Sequence, residues 1–123
     1  MAHHHPGHTK GATSFTFDVR ENGNTYRVGI VNMPSVNAGV QLSGMPKFPG
    51  IAEAYARTFQ DQKNMKIDVW LASHAAQFDL HAKYKEGDAY DPNRFVDPDG
   101  FHKAVAHLET LYLNQLASER RGK

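Results

Sequence analysis

Histidines on turns are the residues here best suited to chemistry. His4-His5-Pro6-Gly7-His8-Thr9-Lys10-Gly11 lies near the start of the chain, and Ala72-Ser73-His74-Ala75-Ala76-Gln77-Phe78 follows a short apolar run much later. Pro6 and Gly7 fix a tight turn, and Gly11 allows a close backbone approach before a strand begins. An imidazole on such a turn has little rotamer freedom left to lose. That suits a metal ligand, which must already point at its ion. His8 and His74 are therefore read as each ending a strand and facing one shared zinc cleft. The chain has no cysteine, so zinc here would take His, Asp or Glu ligands. On spacing alone each histidine also has a plainer reading, His8 as a surface turn residue and His74 as a satisfied residue at a strand end. Met1-Ala2-His3-His4-His5 reads either as a shortened purification tag or, for His4 and His5, as native sequence before Pro-Gly. His81, His102 and His107 fall on predicted helices and read as solvated.

The elements that must position these groups follow from periodicity and turn residues. Met1 to Gly11 reads as an irregular lead-in. Thr13, Phe15, Phe17 and Val19 then alternate with smaller or polar residues, the pattern of a half-buried strand. Asn22-Gly23 is a strong hairpin signal, because both residues accept positive φ. Tyr26, Val28 and Ile30 resume the alternation, so residues 12–31 are predicted to be an antiparallel hairpin. Pro34 ends the return strand, since it cannot donate to a ladder. Residues 36–48 carry Gly39, Gly44 and Pro46 without a period and read as a long loop. Pro49 opens a helix at its first position, with Ile51, Tyr55 and Phe59 as its apolar stripe, ending near Asn64. Ile67 to Leu71 is a buried strand that delivers His74. Phe78 to Tyr84 reads as a short helix and Lys85 to Asn93 as loop. Asp97-Pro98 caps a last helix, striped by Phe101, Val105, Leu108, Leu111, Tyr112 and Leu116 and running to about Ser118. Glu119 to Lys123 reads as a frayed tail. Interleaved strands and helices give an α/β (α+β) class, with helices covering at least one sheet face.

Composition narrows the partners. A chain of 123 residues suggests one domain spanning 1–123. Fourteen basic residues against thirteen acidic ones leave a formal charge of +1, which argues against nucleic acid or an anionic membrane as partner. No apolar run approaches the roughly 20 residues that span a bilayer. Met1-Ala2 followed by histidines does not read as a signal peptide, so none is expected in this chain. Without cysteine there is neither a disulfide framework nor thiolate chemistry.

Five segments in order carry a family resemblance: His5-Pro6-Gly7-His8-Thr9-Lys10-Gly11, Val31-Asn32-Met33-Pro34-Ser35, Phe48-Pro49-Gly50-Ile51-Ala52, Ala72-Ser73-His74-Ala75 and Phe95-Val96-Asp97-Pro98. The chain resembles the C-terminal half of a metallo-β-lactamase of the third class B subclass, most of all the GOB-type enzymes. The resemblance implies half of an αββα sandwich, whose complete form holds two zinc sites between two sheets. It implies that one zinc takes two ligands from an H-x-H-x-D-H motif plus the histidine matched by His8. The other takes the Asp and His of that motif plus the histidine matched by His74. That motif is not in this chain; His3-His4-His5-Pro6-Gly7-His8 mimics it, but Gly7 stands where the aspartate belongs.

Further implications concern chemistry and partners. Zinc-bound water, with its pKa lowered to roughly 7, attacks the β-lactam carbonyl in the complete enzyme. Both histidines act there as neutral ligands, so no catalytic acid or base is assigned. Met33 and Ser35 match positions near the second zinc and the substrate carboxylate. Phe48 matches a position where some relatives carry a tyrosine that polarises the lactam carbonyl, a hydroxyl missing here. The implied partners are a β-lactam substrate and either the missing N-terminal half or a second copy of the chain. Zinc is expected to be weak or absent in the isolated chain, and the implied parent is periplasmic. Rival readings are another hydrolase of the superfamily, such as a lactonase or thioesterase, and a non-catalytic metal-binding or self-associating module. Without a partner layer, Phe15, Phe17, Val28, Ile30 and Trp70 are expected to leave apolar surface exposed, driving association by edge pairing or swapping.

Overall fold

The computed structural model describes residues 1–122. Four strands form one sheet in the order β1-β2-β3-β4: β1 (Ala2–His4), β2 (Thr13–Glu21), β3 (Asn24–Ile30) and β4 (Val69–Leu71). Helix α1 (Ile51–Lys63) connects β3 to β4, and α2 (Leu80–Lys83) and α3 (Pro98–Arg121) follow.

The predicted hairpin is present, with β2 and β3 paired from Phe15↔Ile30 to Glu21↔Asn24. Asn22 and Gly23 sit at φ 52° and 80°, the left-handed pair that a tight two-residue turn demands. Crossing over through α1 brings β4 back parallel to β3, from Val28↔Val69 to Ile30↔Leu71. Strand β4 starts two residues later than expected. Ile67 instead packs onto Gly29, where a Cβ would lie 2.5 Å from Ile67 Cδ1, and Asp68 accepts the backbone N–H of Arg27.

The lead-in is not irregular. Ala2–His4 pairs with Thr13–Phe15, and the Met1 ammonium donates to the Thr16 carbonyl at 2.7 Å. Nothing in Ala-His-His signals a strand by type; the open edge of β2 recruits it. Helix α1 begins at Ile51, with Gly50 at φ 74° as its cap, so Pro49 lies outside the helix rather than at its first position. Its end at Asn64 is as expected. In α3, Asp97 accepts from Gly100 N at 3.1 Å and Pro98 takes the first helical position. The helix continues through Glu119 to Arg121 rather than fraying after Ser118, and Lys123 lies outside the described residues. The expected helix over 78–84 is a 3-10 turn (Ala75–Phe78) followed by α2.

The two sheet faces have opposite fates. Ser14, Thr16 and Trp70 are buried on the face toward the helices, where Trp70 meets Phe101 edge-on at 5.7 Å. Tyr55, Phe59 and Tyr112 join α1 to α3, with ring centroids 5.6 Å apart for Tyr55–Tyr112 and 5.4 Å for Phe59–Tyr112. Burying each such side chain contributes about 1.5–3 kcal/mol. Phe15, Phe17 and Ile30 are exposed, as expected. Val28 and Trp70 are not: Trp70 points to the helix side, and Val28 is 6% exposed beside the 84–95 loop. No helix among the described residues is long and apolar enough to cross a membrane.

Candidate functional site

Helix α1 holds the histidine turn and the strand exit with one side. Thr58 Oγ1–H donates to the Pro6 carbonyl at 2.7 Å, and the Tyr55 hydroxyl donates to the Ser35 carbonyl at 2.9 Å. Gln62 Nε2–H donates to the Asn32 carbonyl at 2.9 Å. Tyr55, Thr58 and Gln62 are three and four residues apart, hence on one helix face. Burial pushes the Tyr55 phenol up to about 12, so its hydroxyl keeps its proton and remains a donor.

His8 lies on the turn between β1 and β2 rather than at a strand end. Its Nδ1–H donates to the same Ser35 carbonyl at 2.8 Å. A carbonyl can only accept, so the proton sits on Nδ1 and Nε2 carries the free lone pair. That is the tautomer a metal takes at Nε2. Gly7 makes the approach possible: its φ is +146°, and a Cβ there would lie 2.8 Å from Tyr55 Cδ1.

His5 is the residue that sequence reasoning missed. It is 1% exposed, and its Nε2–H donates to Asp61 Oδ2 at 2.6 Å. Its Nδ1 is 2.7 Å from Ser14 Oγ, which in turn accepts from Asn32 N at 2.9 Å. Burial lowers the imidazole below its ordinary 6.5, outweighing Asp61, so it is neutral at pH 7 and Ser14 donates to Nδ1. The network joins the turn, β2, the β3 exit and α1. His3 Nε2 lies 2.8 Å from Thr16 Oγ1, and His4 Nε2–H donates to the Lys10 carbonyl at 2.7 Å. Each of these three histidines makes a side-chain hydrogen bond within the fold. A readable signal existed: Thr58 and Gln62 occupy core-facing positions of α1, and buried polar groups there need partners.

His74 comes three residues after β4, exposed and in extended conformation (φ −121°, ψ 137°), with its backbone N–H donating to Gln77 Oε1 at 3.3 Å. Met33 and Ser35 line a hollow of about 310 Å³ together with Ala76, Gln77, Asp79 and His107. The structure thus brings the anchor of His8, through Ser35, to the segment just beyond His74. Phe48 is elsewhere, lining a hollow of about 560 Å³ with His4, Lys10 and Arg57; the Lys10 ammonium is 5.8 Å from its ring centroid. The start of α3 is fixed nearby. Lys83 Nζ lies 3.0 Å from Asp97 Oδ2 and 4.8 Å from the Trp70 ring centroid. Burial raises the Asp97 carboxyl, but Lys83 and the Gly100 N–H together hold it below its ordinary range.

Among the described residues, no three of His, Cys, Asp and Glu converge to hold a metal. A zinc ion needs three or four protein ligands. The donors on this chain therefore do not make a zinc site by themselves; what the chain offers is a pre-oriented imidazole at His8 and an exposed one at His74.

No family model matches the chain. Solved structures do. A β-lactamase from Chitinophaga pinensis is 42% identical with a TM-score of 0.89, over 94% of this chain and 44% of its own. GOB-18 from Elizabethkingia meningoseptica, a metallo-β-lactamase, is 45% identical with a TM-score of 0.88, over 95% and 43%. LRA-12, a class B3 di-zinc metallo-β-lactamase from an Alaskan soil metagenome, is 43% identical with a TM-score of 0.86, over 94% and 44%. This chain spans less than half the length of these relatives. With sequence identity above 40% and nearly its whole fold superposed, the chain belongs to the class B3 metallo-β-lactamases and corresponds to the C-terminal half of their fold.

Proposed function

We propose that this chain supplies one imidazole to each of the two zinc ions of a periplasmic β-lactam hydrolase, His8 to one and His74 to the other. The remaining ligands come from outside the chain, on an N-terminal half like that of the class B3 relatives. The observation that carries this reading is the Ser35 carbonyl on His8 Nδ1–H at 2.8 Å, which leaves the Nε2 lone pair free. Ligating histidines commonly donate their other N–H to a carbonyl, which fixes the ring and raises its basicity. Met33 and Ser35 flank the substrate from the hollow they share, whereas Phe48, which lines a separate hollow, is given no part in this reading.

One imidazole per ion binds zinc weakly, so the isolated chain neither holds zinc tightly nor turns over substrate. The test begins with the purified chain, a zinc titration by calorimetry and a chromogenic cephalosporin. Mixing with the N-terminal half of the GOB-18 relative then supplies the missing ligands. The expected outcome is no turnover alone and zinc-dependent hydrolysis in the mixture, abolished by His8→Ala or His74→Ala with the circular dichroism unchanged. Efficient turnover by the chain alone overturns the reading, and so does full activity of a mixture carrying His8→Ala.

A further inference from the structure

The tip of the β2–β3 hairpin carries a reactive pair that the candidate site does not use. Asn22 and Gly23 are both exposed, and together they make the whole turn between the paired residues Glu21 and Asn24. The side-chain amide carbon of an asparagine lies within reach of the next residue's backbone nitrogen, and attack there closes a five-membered ring. A side chain on the following residue obstructs that approach, whereas glycine permits it. The chain has seven asparagines, and only Asn22 precedes a glycine.

The fold leaves both partners of this ring closure unengaged. In a two-residue turn the ladder closes at the flanking pair, so the nitrogens of the turn stand outside it. Among the described residues, the Gly23 N–H donates to no acceptor. No atom beyond its immediate neighbours lies within 4 Å of where a Gly23 Cβ would stand, so water and base reach the turn. Asn22 must rotate from its left-handed φ of 52° to bring its amide carbon onto that nitrogen. Only the exposed turn moves, with no buried contact to lose. Asp99-Gly100, the chain's one aspartate before a glycine, is the contrast. There the Gly100 N–H is tied to Asp97 Oδ1 at 3.1 Å in the first turn of α3, which holds off the same closure.

We infer that Asn22 is a site of self-modification, its side-chain amide becoming a carboxylate through a succinimide formed with Gly23. The Gly23 nitrogen bonds to Asn22 Cγ, the Cγ–Nδ2 bond breaks, and ammonia leaves with the proton that the Gly23 amide loses. Water then opens the ring. Addition at Cγ restores the main chain and leaves aspartate. Addition at the main-chain carbonyl carbon leaves isoaspartate, whose main chain runs through Cβ and Cγ. Water is the only co-reactant, and no electrons are transferred. Either product adds one negative charge, taking the formal charge from +1 to zero. Aspartate tolerates the left-handed turn as asparagine does. Isoaspartate lengthens the main chain by one carbon, so the turn no longer matches the Glu21–Asn24 register and the hairpin end frays. None of this depends on zinc or on lactam hydrolysis.

The experiment holds the purified full chain in mildly alkaline buffer and samples it over days. Isoelectric focusing is expected to show a more acidic species, shifted by one charge, that grows faster at higher pH. Peptide mapping by mass spectrometry is expected to place the new carboxylate at position 22 while the other six asparagines stay amides. Labelling with an isoaspartyl methyltransferase is expected to mark the same peptide. Asn22→Gln would need a larger ring and is expected to keep its starting charge; mapping the wild type decides the matter even where that variant folds poorly. Asn22→Asp, which stands for the unbranched product, is expected to keep wild-type circular dichroism. The isolated isoaspartyl species is expected to exchange its Glu21 and Asn24 amide hydrogens faster. An unchanged focusing pattern overturns the proposal. So does a carboxylate that arises first at an asparagine other than Asn22, or an Asn22→Gln chain that acidifies as fast as the wild type.

Discussion

Replacing Gly7 with alanine probes how tightly the turn before His8 is set. Gly7 has φ +146°, a region that side chains rarely enter, and a Cβ there would lie 2.8, 2.9 and 3.0 Å from three atoms of the Tyr55 ring. Tyr55 cannot step aside cheaply: it is 1% exposed and wedged against Phe59 and Tyr112 at centroid distances of 6.3 and 5.6 Å. The backbone conformation costs alanine about 1–2 kcal/mol. Overpacking against a buried ring adds about 1–3 kcal/mol. Together they predict a loss of about 3 kcal/mol, which for a domain of this size lowers Tm by roughly 10 °C. A second effect follows from the shared acceptor. A displaced Tyr55 disturbs the Ser35 carbonyl, so His8 loses its fixed Nδ1–H tautomer, visible as averaged imidazole nitrogen shifts by NMR. Urea and thermal denaturation read the first effect. Tyr55→Leu in the Gly7→Ala background should recover part of the clash, so the two losses are expected to be less than additive. A Gly7→Ala chain that melts with the wild type, or losses that simply add, would refute the steric reasoning.

Three further outcomes are expected. Burial keeps the folded-state His5 imidazole below its ordinary 6.5, so the unfolded chain takes up that proton first. The stability it contributes is complete above 6.5 and falls as pH drops below that value, and His5→Gln flattens this slope in urea midpoints measured across the window. Desolvation raises the Glu119 carboxyl, but the N–H groups of Ser43 and Leu42, with the Gln115 amide, pull it down to about 2 from 4.5. Its contribution is therefore complete above 4.5 and lost as pH falls toward 2. Glu119→Gln is expected to cost about 1 kcal/mol at neutral pH and to speed hydrogen exchange at Leu42 and Ser43; unchanged exchange there would count against the contact. Asp97→Ala removes both the α3 cap and the partner of Lys83, whose side chain is only 11% exposed, and is expected to cost about 2–3 kcal/mol. Asp97→Asn keeps a capping oxygen and should cost less; equal losses in urea denaturation would remove the cap from the account.

The elements legible in the sequence were those with a local signature. Asn22-Gly23 set the hairpin, Asp97-Pro98 set the start of α3, and the spacing of Ile51, Tyr55 and Phe59 set α1. The order of short motifs was enough to identify the family. What stayed hidden depended on long-range pairing. Strand β1 exists because an open edge lies opposite it, not because Ala-His-His prefers a strand. Glu119 reads as tail until the backbone of Leu42 and Ser43 arrives to meet it. Gly50 displaced Pro49 as the start of α1 because a left-handed cap is a backbone event that a proline signal does not report. His8 and Ser35 were both singled out, yet the bond between them spans 27 positions and was not readable. Phe48 joins Met33 and Ser35 only through the family resemblance, and the fold gives it a different hollow.

The sheet also inverts a habit of pattern reading. Alternation in β2 marks which residues share a face, but not which face the helices cover. Here the helices cover Ser14, Thr16 and Trp70, while Phe15, Phe17 and Val19 face outward. A helix-side face built from small hydroxyl residues would be a poor core by apolar area alone. It works because Ser14 is a junction, accepting from Asn32 and donating to His5, and because His5 is held by Asp61 of α1. Those bonds are individually worth about 1 kcal/mol but geometrically strict. Apolar packing tolerates sliding, whereas a chain of buried donors and acceptors does not. The face that carries the polar network is therefore the one that can hold the His5–His8 turn in register with the 32–35 exit, and the apolar face is left free for a second sheet.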